Sequence, residues 1–371
     1  MEFRLHLAPL IEFGEGKLEQ IGEILDKDSR RKVLIITGKN SSRARGALDR
    51  LGSALQKLGI ESVVFDGVSK EPDTDIVDHL REVAEKEEVD AVIGLGGGSP
   101  MDVAKVVAGL FGQEKKTIDY LRKESFVYKG LPFYAIPTTA GTASEVTLNA
   151  VFLDKERHNK YSISDPKFMP RAAIIDPELT YGLSPELTAA TAIDALTHAI
   201  ESYVSYESNE FTKFFALEAI LLILKHYDEA LEDDKTARSY MAKGSLYAGL
   251  AFAQTGVGLS HAISHPLGAM YPIAHGVANA ILLPKVIHFN MKTSHEEYRR
   301  IEQELGIDMN LGDYIQNITD GLPIRTKLSD YGFRTEDASR IAKLAMTSRS
   351  YLRNPRIATE EEIIEILREC Y

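Results

Sequence analysis

Residues 91–105 read AVIGLGGGSPMDVAK: an apolar run, a glycine loop and the beginning of a helical pattern in direct succession. A short apolar run that ends at glycine is typical of a strand buried on both faces. Ser99 can cap a helix, Pro100 suits the first helical position, and Asp102 lies where a short carboxylate can return the hydrogen bond of the cap. The stretch therefore predicts one strand–loop–helix unit of a parallel α/β sheet.

The glycine loop, which consists of Gly96, Gly97 and Gly98, is a candidate nucleotide site. Residues without side chains let the backbone approach a diphosphate, whose negative charge is favoured at a helix N-terminus. The loop lacks the Gly-Lys-Ser/Thr ending of a P-loop, and Ser99 takes the place of the third glycine in Gly-x-Gly-x-x-Gly. A tight structural turn is the alternative, but the strand and helix on either side favour the nucleotide.

The rest of the first half repeats this alternation of strands and helices. Helical patterns occur around residues 45–58 and 75–86, and a hairpin-like insertion occurs around 148–164. Further strands are predicted at residues 33–37, 62–65, 133–136 and 172–176. Strands that alternate with helices predict a mostly parallel, Rossmann-like sheet covered by helices on both faces.

The second half reads as a succession of helices. Ser184 followed by Pro185 is a sound start signal, because a capping hydroxyl precedes a residue with a preset φ. Helices are predicted at residues 185–204, 209–227 and 235–254, with shorter ones after residue 284. We place a domain boundary near residue 180. It separates an α/β dinucleotide-binding domain at 1–180 from an all-helical metal-binding and catalytic domain at 181–371.

The composition is that of an ordinary globular protein, with 371 residues, 44% of them hydrophobic, and a formal net charge of -12. This charge argues against binding to a phosphate backbone, so we expect no nucleic-acid partner. We expect no membrane partner either, since no apolar stretch is long enough to span a bilayer and the N-terminus does not read as a signal peptide. The single cysteine, Cys370, fits a reducing cytoplasm.

A second polar loop, residues 137–145 (PTTAGTASE), follows the strand predicted at 133–136. Its hydroxyl groups include those of Thr138, Thr139 and Thr142. At the same end of a parallel sheet they can bind phosphate, ribose or carboxamide, but they can also simply cap a helix. The sequence leaves both interpretations open.

Three histidines lie in an apolar, glycine-rich stretch at residues 256–276. His261 and His265 are four residues apart and share one helical face, while His275 follows a turn that contains Pro272. A buried imidazole costs free energy unless a hydrogen bond or a metal ion satisfies it. Hydrogen-bonded core histidines are one interpretation, and metal ligands are the other.

Asp194 and His198 are four residues apart on one face of an apolar helix. Alone, such a pair is more often a surface contact or a helix-stabilising one. Together with His261 and His275 it supplies one oxygen and three nitrogens. This is a ligand set for a divalent metal that leaves a coordination position open for substrate or water.

These motifs, in this order, resemble those of the iron-containing (group III) alcohol dehydrogenases, of the lactaldehyde reductase and propanediol or butanol dehydrogenase type. The similarity runs over nearly the whole chain. It includes residues 13–16 (FGEG), 96–99 with Asp102, 137–145, Asp194 with His198, and 258–279.

The resemblance implies roles for individual residues. The metal ligands would be Asp194, His198, His261 and His275, and His265 would be a histidine near the nicotinamide that does not bind the metal. One departure is Ala143, where the family usually has glycine, and the added methyl group could crowd its loop. The contacts with the dinucleotide would be Gly96, Gly97, Gly98, Ser99, Asp102, Thr138, Thr139, Thr142, Asn149 and Lys160.

Gly38, which follows the strand predicted at 33–37, bears on the choice of dinucleotide. Family members that prefer NAD tend to carry an acid here, because a carboxylate accepts from the ribose hydroxyl and repels a 2′-phosphate. Glycine leaves room for that phosphate, with which Lys39, Ser41 and Arg43 could pair. We therefore expect NADP. NAD is the alternative, with Lys39 and Arg43 merely solvated.

The resemblance implies reversible oxidation of a small primary or secondary alcohol or diol to its aldehyde or ketone, by hydride transfer with NAD(P). The protein would be a cytoplasmic homodimer or a larger homo-oligomer. The metal is expected to be Fe2+, although the ligands also suit Zn2+. The metal would polarise the substrate oxygen. His265 would relay the proton to solvent or position the nicotinamide, unless it only forms a hydrogen bond within its helix.

Other classes are compatible with the same motifs. A dehydroquinate synthase-like lyase binds NAD and a metal, but it needs several Arg and Lys residues for a phosphorylated acidic substrate. Residues 252–275 contain neither, which favours a small, weakly charged substrate. A glycerol dehydrogenase-like enzyme, a hydroxyacid–oxoacid transhydrogenase and a non-enzymatic metal or nucleotide binder are the remaining alternatives.

Overall fold

The structure is a computed structural model that describes residues 3, 5–8, 10–39, 46–121, 130–154 and 159–371. The chain divides into two compact units, one at His6–Gly182 and the other containing Leu183–Tyr371. The first unit belongs to the α/β class and the second is helical, as predicted. The division falls close to residue 180, where the character of the sequence changes.

The first unit is built on a parallel sheet. Its strands are β1 (Ile11–Phe13), β2 (Lys32–Gly38), β3 (Glu61–Val68), β4 (Ala91–Gly96), β5 (Phe133–Pro137), β6 (Asn149–Asp154), β7 (Asn159–Ser164) and β8 (Ala172–Ile175). Six of them lie in the order β1-β8-β5-β4-β2-β3, and all neighbours are parallel. The other two form the predicted antiparallel hairpin. Strand β1 was not predicted, because three residues are too few to show a period.

Helices cover both faces of this sheet. They are α1 (Ile21–Lys27), α2 (Ala47–Gln56), α3 (Thr74–Lys86), α4 (Gly98–Gly109) and α5 (Thr117–Leu121). Successive residues of a strand point to opposite faces. Leu34 of β2 belongs to the core that contains Val103 of α4. The preceding residue, Val33, belongs to the opposite core, which contains Leu51 of α2. The predicted coverage of a buried parallel sheet is confirmed.

The beginning of α4 differs from the prediction. Gly97, not Ser99, is its N-cap residue, and glycine has no side chain with which to cap it. The hydroxyl of Ser99 donates instead to the carbonyl of Lys70, 2.6 Å away. The helix begins earlier because the chain turns at Gly96, which adopts a φ of +151° that side chains disfavour. A Cβ on Gly96 would also lie 2.9 Å from Pro100. Pro100 therefore lies inside the first turn, where a missing backbone N–H breaks no helical hydrogen bond.

The second unit consists mainly of helices. They are α6 (Pro185–Val204), α7 (Glu210–Leu231), α8 (Lys235–Thr255), α9 (Leu259–Met270), α10 (His275–Asn290), α11 (His295–Leu305), α12 (Leu311–Gly321), α13 (Ala338–Met346), α14 (Arg349–Arg353) and α15 (Glu360–Glu369). The predicted start of α6 is confirmed: Ser184 caps it by accepting from the Leu187 amide, and Pro185 follows. Among the described residues, no helix is both long and apolar enough to cross a membrane.

Candidate functional site

Three helices of the second unit bring a carboxylate and two imidazoles together. Asp194 lies in the middle of α6, His261 in the first turn of α9, and His275 at the first position of α10. The Asp194 Oδ1 is 3.5 Å from His275 Nε2 and 3.8 Å from His261 Nε2. A four-coordinate metal with bonds of about 2.1 Å holds its ligand atoms about 3.4 Å apart. The three donor atoms therefore fit a divalent metal with little movement.

The fourth predicted ligand, His198, lies one turn after Asp194 on α6. Its buried ring stacks on the ring of His261, with centroids 4.5 Å apart, and on that of Phe252 at 4.1 Å. The compact group of donor atoms found among the described residues contains Asp194, His261 and His275 but not His198. His198 thus lies beside the group, and its role as a ligand stays a prediction.

The electrostatics of this group favour a cation. Burial raises the pKa of Asp194, but the histidines around it outweigh burial and hold that pKa well below its ordinary range. Burial lowers the pKa of His261, whereas Glu201 and Asp194 raise it, with a net result of about 9. Without a metal, His261 therefore favours a bound proton. Because buried charges must be paired or coordinated, a metal ion can supply the positive charge in its place.

Two residues of this site were not predicted. Glu201 accepts a hydrogen bond from His261 Nδ1 at 2.6 Å. Asn279 Nδ2 donates to Asp194 Oδ1 at 2.8 Å and lies 3.2 Å from His261 Nε2. A signal existed for both: Glu201 follows Asp194 by seven residues, and Asn279 follows His275 by four, so helical periodicity places each on the same face as a predicted ligand.

His265 lies beside the same group without belonging to it. It is half-buried, one turn after His261, and its ring stacks on that of His275 with centroids 5.3 Å apart. The ring of His261 is farther away, at 6.2 Å and edge-on. This placement is compatible with the predicted role of a histidine that does not bind the metal.

In the first unit, the glycine loop and the second polar loop lie against each other. The Thr138 amide donates to the carbonyl of Gly96 at 2.9 Å. A Cβ on Gly98 would lie 3.0 Å from Thr142, and one on Gly97 would lie 3.4 Å from Thr139 Oγ1. The two loops follow neighbouring parallel strands, β4 and β5, whose carboxyl ends meet at one edge of the sheet. The structure thus joins two of the predicted contact segments, while their contact with a dinucleotide stays a prediction.

The sequence predicted that Asp102 would return the hydrogen bond of a helix cap, and this prediction is wrong. Its Oδ1 accepts from Ser144 Oγ at 2.6 Å, and its Oδ2 accepts from the Val151 amide at 2.9 Å. The prediction failed because the cap is Gly97, so the third helical position, from which a carboxylate can reach the backbone N–H of the cap, is Pro100 and not Asp102. Both oxygens are engaged within the protein, so the cofactor contact implied for Asp102 also stays a prediction.

A buried lysine connects these loops to α4. Lys105 has no exposed surface, and its Nζ donates to Ser144 Oγ at 2.9 Å, to Thr147 Oγ1 at 3.1 Å and to the carbonyl of Asn149 at 2.6 Å. The carbonyl of Asn149, a predicted dinucleotide contact, is therefore tied to α4. The lysine was not singled out from the sequence, because its acceptors lie about forty residues away along the chain.

The remaining predicted contacts lie on separate strands. Lys160 of β7 forms an ion pair with Glu71, with Nζ and Oε1 2.7 Å apart. Gly38 ends β2 and is half-buried, and Lys39 after it is exposed. Two residues expected to pair with a 2′-phosphate, Ser41 and Arg43, lie outside the described residues.

Comparison with known proteins identifies the class. The family described as iron-containing alcohol dehydrogenase matches residues 8–177, and the C-terminal Fe-containing alcohol dehydrogenase family matches residues 188–371. The chain therefore belongs to the iron-containing alcohol dehydrogenases. It is an NAD(P)-dependent alcohol dehydrogenase, and the lyase and transhydrogenase alternatives are not favoured.

Individual relatives match over almost their whole length. The NADPH-dependent butanol dehydrogenase of Clostridium saccharobutylicum is 35% identical and covers 99% of this chain and 97% of its own. Lactaldehyde reductase of Escherichia coli K12 is 34% identical over 100% of both chains. The crystal structure of a 1,3-propanediol oxidoreductase superposes with a TM-score of 0.95 at 33% identity, again over 100% of both chains.

Proposed function

We propose that this alcohol dehydrogenase binds a divalent metal ion through Asp194, His198, His261 and His275, that the ion is Fe2+, and that NADP is preferred to NAD. The observation that carries the proposal is the group of Asp194, His261 and His275, three donors from three helices beside a second buried carboxylate. Zn2+ suits the same donors, and the description of the family favours iron.

The proposed substrates are a small primary or secondary alcohol or diol and the corresponding aldehyde or ketone. The names of the relatives refer to butanol, lactaldehyde and propanediol. Residues 252–275, which supply three of the histidines, contain no Arg or Lys to bind an acidic substrate. A substrate of low charge is therefore favoured over a phosphorylated acid.

When bound, the metal ion supplies a Lewis acid for the substrate oxygen, and the dinucleotide supplies the hydride acceptor of alcohol oxidation. The chain contributes placement and proton movement. We assign to His265 uptake of the hydroxyl proton at a ring nitrogen and its release to solvent, because its ring is half-buried and lies against His275. Positioning of the nicotinamide is the second role compatible with this place.

The dinucleotide is assigned to the first unit. The glycines at 96–98 leave the backbone open to a diphosphate at the N-terminus of α4, and the threonines of the loop at 137–145 offer hydroxyl donors. The absence of a side chain at Gly38, beside the exposed Lys39, leaves room for a 2′-phosphate. We also propose that the enzyme is cytoplasmic. We propose further that it forms a homodimer or larger homo-oligomer, and sedimentation tests this oligomeric state directly.

The proposal is tested by following nicotinamide absorbance over a panel of small alcohols and aldehydes, with metal-free, Fe2+-loaded and Zn2+-loaded protein. We expect turnover in metal-loaded protein only, and a higher kcat/KM with the NADP(H) couple than with NAD(H). Absence of activity in every metal form would contradict the metal-dependent mechanism. Better turnover with NADH than with NADPH would contradict only the cofactor preference.

A further inference from the structure

Glu201 is a buried carboxylate that three hydrogen-bond donors of one segment surround. Its Oε2 accepts from the Gly258 amide at 2.7 Å and from His261 Nδ1 at 2.6 Å. Its Oε1 accepts from the Ser260 amide at 2.6 Å. The Glu201 side chain is only 2% exposed, so water does not weaken these contacts.

Two of these bonds replace a missing helix cap. Helix α9 begins after Gly258, which has no side chain to cap it. Glu201, from the last turn of the neighbouring helix α6, accepts from two backbone N–H groups that have no partner within α9. A larger capping residue would be crowded here, since a Cβ on Gly258 would lie 3.0 Å from Asn354 Oδ1 and 3.1 Å from the Glu201 carboxyl group.

The third bond bears on the chemistry of His261. An imidazole has two nitrogens, and a carboxylate that accepts from one keeps the proton there and leaves the other for a metal. Here Nδ1 faces Glu201, while Nε2 faces Asp194 Oδ1 at 3.8 Å. Asp194 and Glu201 both lie on α6, so one helix presents a ligand on one side of the ring and a proton acceptor on the other.

We propose that Glu201 is the positioning residue of the metal centre: it retains the Nδ1 proton of His261, directs Nε2 at the metal ion, and fixes the first turn of α9 that carries this ring. The proposal rests on the metal site of the proposed function. It assigns to Glu201 no contact with substrate, dinucleotide or metal.

The test compares Glu201→Ala and Glu201→Gln with the control Glu186→Gln, which removes one carboxylate charge from an exposed position of the same helix. The dissociation constant of Co2+ is measured by competition with a chelator, and the ligand-field absorption of bound Co2+ is recorded. We expect Glu201→Ala to weaken binding about 10- to 100-fold, as outer-shell partners of metal ligands typically do.

The glutamine variant and the control sharpen this test. Glu201→Gln retains one carbonyl oxygen for three donors, so it should lose part of the affinity and alter the absorption bands. Glu186→Gln should change neither. Wild-type affinity and absorption in both Glu201 variants would overturn the proposal while leaving the metal site intact. Failure of the wild-type protein to bind Co2+, Zn2+ or Fe2+ would overturn the proposal together with the metal site itself.

A second measurement needs no substitution at Glu201, whose loss also removes a helix cap. Nitrogen-15 NMR of histidine-labelled, Zn2+-loaded wild-type protein distinguishes the two ring nitrogens of His261. We expect metal at Nε2 and a slowly exchanging proton at Nδ1. Coordination through Nδ1, or rapid exchange of its proton, would overturn the proposal even if the Glu201 variants fail to fold.

Discussion

Ala143 has a backbone conformation that alanine rarely adopts, with φ at 48° and ψ at 29°. This left-handed region brings Cβ too close to the carbonyl oxygen, at a cost of roughly 1–2 kcal/mol, which glycine avoids. The alanine is only 1% exposed and lies in the second polar loop. The strain therefore arises from the Cβ of Ala143, which glycine would lack.

We predict that Ala143→Gly raises the free energy of unfolding by about 0.5–1 kcal/mol, because relief of strain exceeds the extra freedom of glycine in the unfolded chain. Urea denaturation measures this change. A matched control is Ala108→Gly, at an equally buried alanine in α4, which should lower the free energy of unfolding by about 1 kcal/mol. A loss of stability at position 143 similar to that at 108 would contradict the prediction.

His265 and His275 have stacked rings but different predicted roles. We predict that His275→Ala loses metal affinity by more than the 10- to 100-fold typical of an outer-shell residue, since a donor atom is removed. His265→Ala should keep the metal and lower the rate of turnover. Metal analysis of the dialysed variants and their kcat values measure both effects.

Two outcomes would contradict these predicted roles. Loss of metal in His265→Ala, with retention in His275→Ala, would reverse the assignment of the two histidines. A His265→Ala variant that keeps both metal and rate would end the proton-relay role. That outcome would leave the metal site of the proposed function unaffected.

At the scale of elements, the short turn Ser144–Val146 is held against α4 by buried ionisable groups. Lys105 of α4 donates to Ser144, and the neighbouring Glu145 is 3% exposed, with no hydrogen-bond partner for its Oε2 among the described residues. Burial raises the pKa of Glu145 to about 7, although a backbone hydrogen bond and Lys105 lower it. Burial likewise lowers the pKa of Lys105 to about 8, against the opposing charges of Asp102 and Glu145.

This carboxyl group makes stability depend on pH. The folded chain binds the proton of Glu145 more tightly than the unfolded chain, whose pKa is near the ordinary 4.5. The stabilisation of the folded state by this proton is therefore fully present below about pH 4.5, and it is lost as pH rises through about 7. We predict that Glu145→Gln removes this loss, so that the stability of the variant relative to wild type increases between about pH 4 and pH 8, by up to about 3 kcal/mol.

Urea denaturation of both proteins over this pH range provides the measurement. Glu71→Gln is a suitable control, because it makes the same substitution at a side chain that is 38% exposed and whose ion pair with Lys160 is screened by solvent. A difference between Glu145→Gln and wild type that is constant with pH would show that folding does not raise the pKa of Glu145, and it would contradict the prediction.

At the scale of the whole molecule, the proposed metal ligands join three helices of the second unit, and the proposed dinucleotide contacts lie in the first. A ligand that binds only the folded chain stabilises it by about 4 kcal/mol at a thousandfold excess over Kd. We predict that chelation of the metal lowers the unfolding temperature and accelerates hydrogen exchange in α6, α9 and α10. Exchange in the sheet of the first unit should not change.

Hydrogen exchange followed by mass spectrometry, with and without chelator, resolves these segments. Addition of NADP to chelated protein is the complementary control, since it should protect β4, α4 and the loop at 137–145 and leave the three metal-binding helices exposed to exchange. Equal acceleration in both units on chelation would contradict the assignment of the metal to the second unit.

Much of this architecture was predicted from local patterns. The strand–glycine–helix pattern at 91–105, the Ser184-Pro185 helix start and the apolar strand runs all depend on neighbours within a few residues, so periodicity and capping suffice to read them. The capping role of Ser99 was wrong for a related reason. A serine before proline is a strong local signal, but the φ of Gly96 and the carbonyl of Lys70 decided where the helix begins.

The sequence by itself determined the class of the two units, the identity of the candidate metal ligands and the two loops proposed to bind a dinucleotide. Only the tertiary structure decided that Asp194, His261 and His275 meet, that Asn279 donates to Asp194, and that Glu201 lies behind His261. The physical reason is that a hydrogen bond between two helices depends on how each is rotated and packed. The contacts of Glu201 with the start of α9 span nearly sixty residues, a distance at which no local period in the sequence connects them.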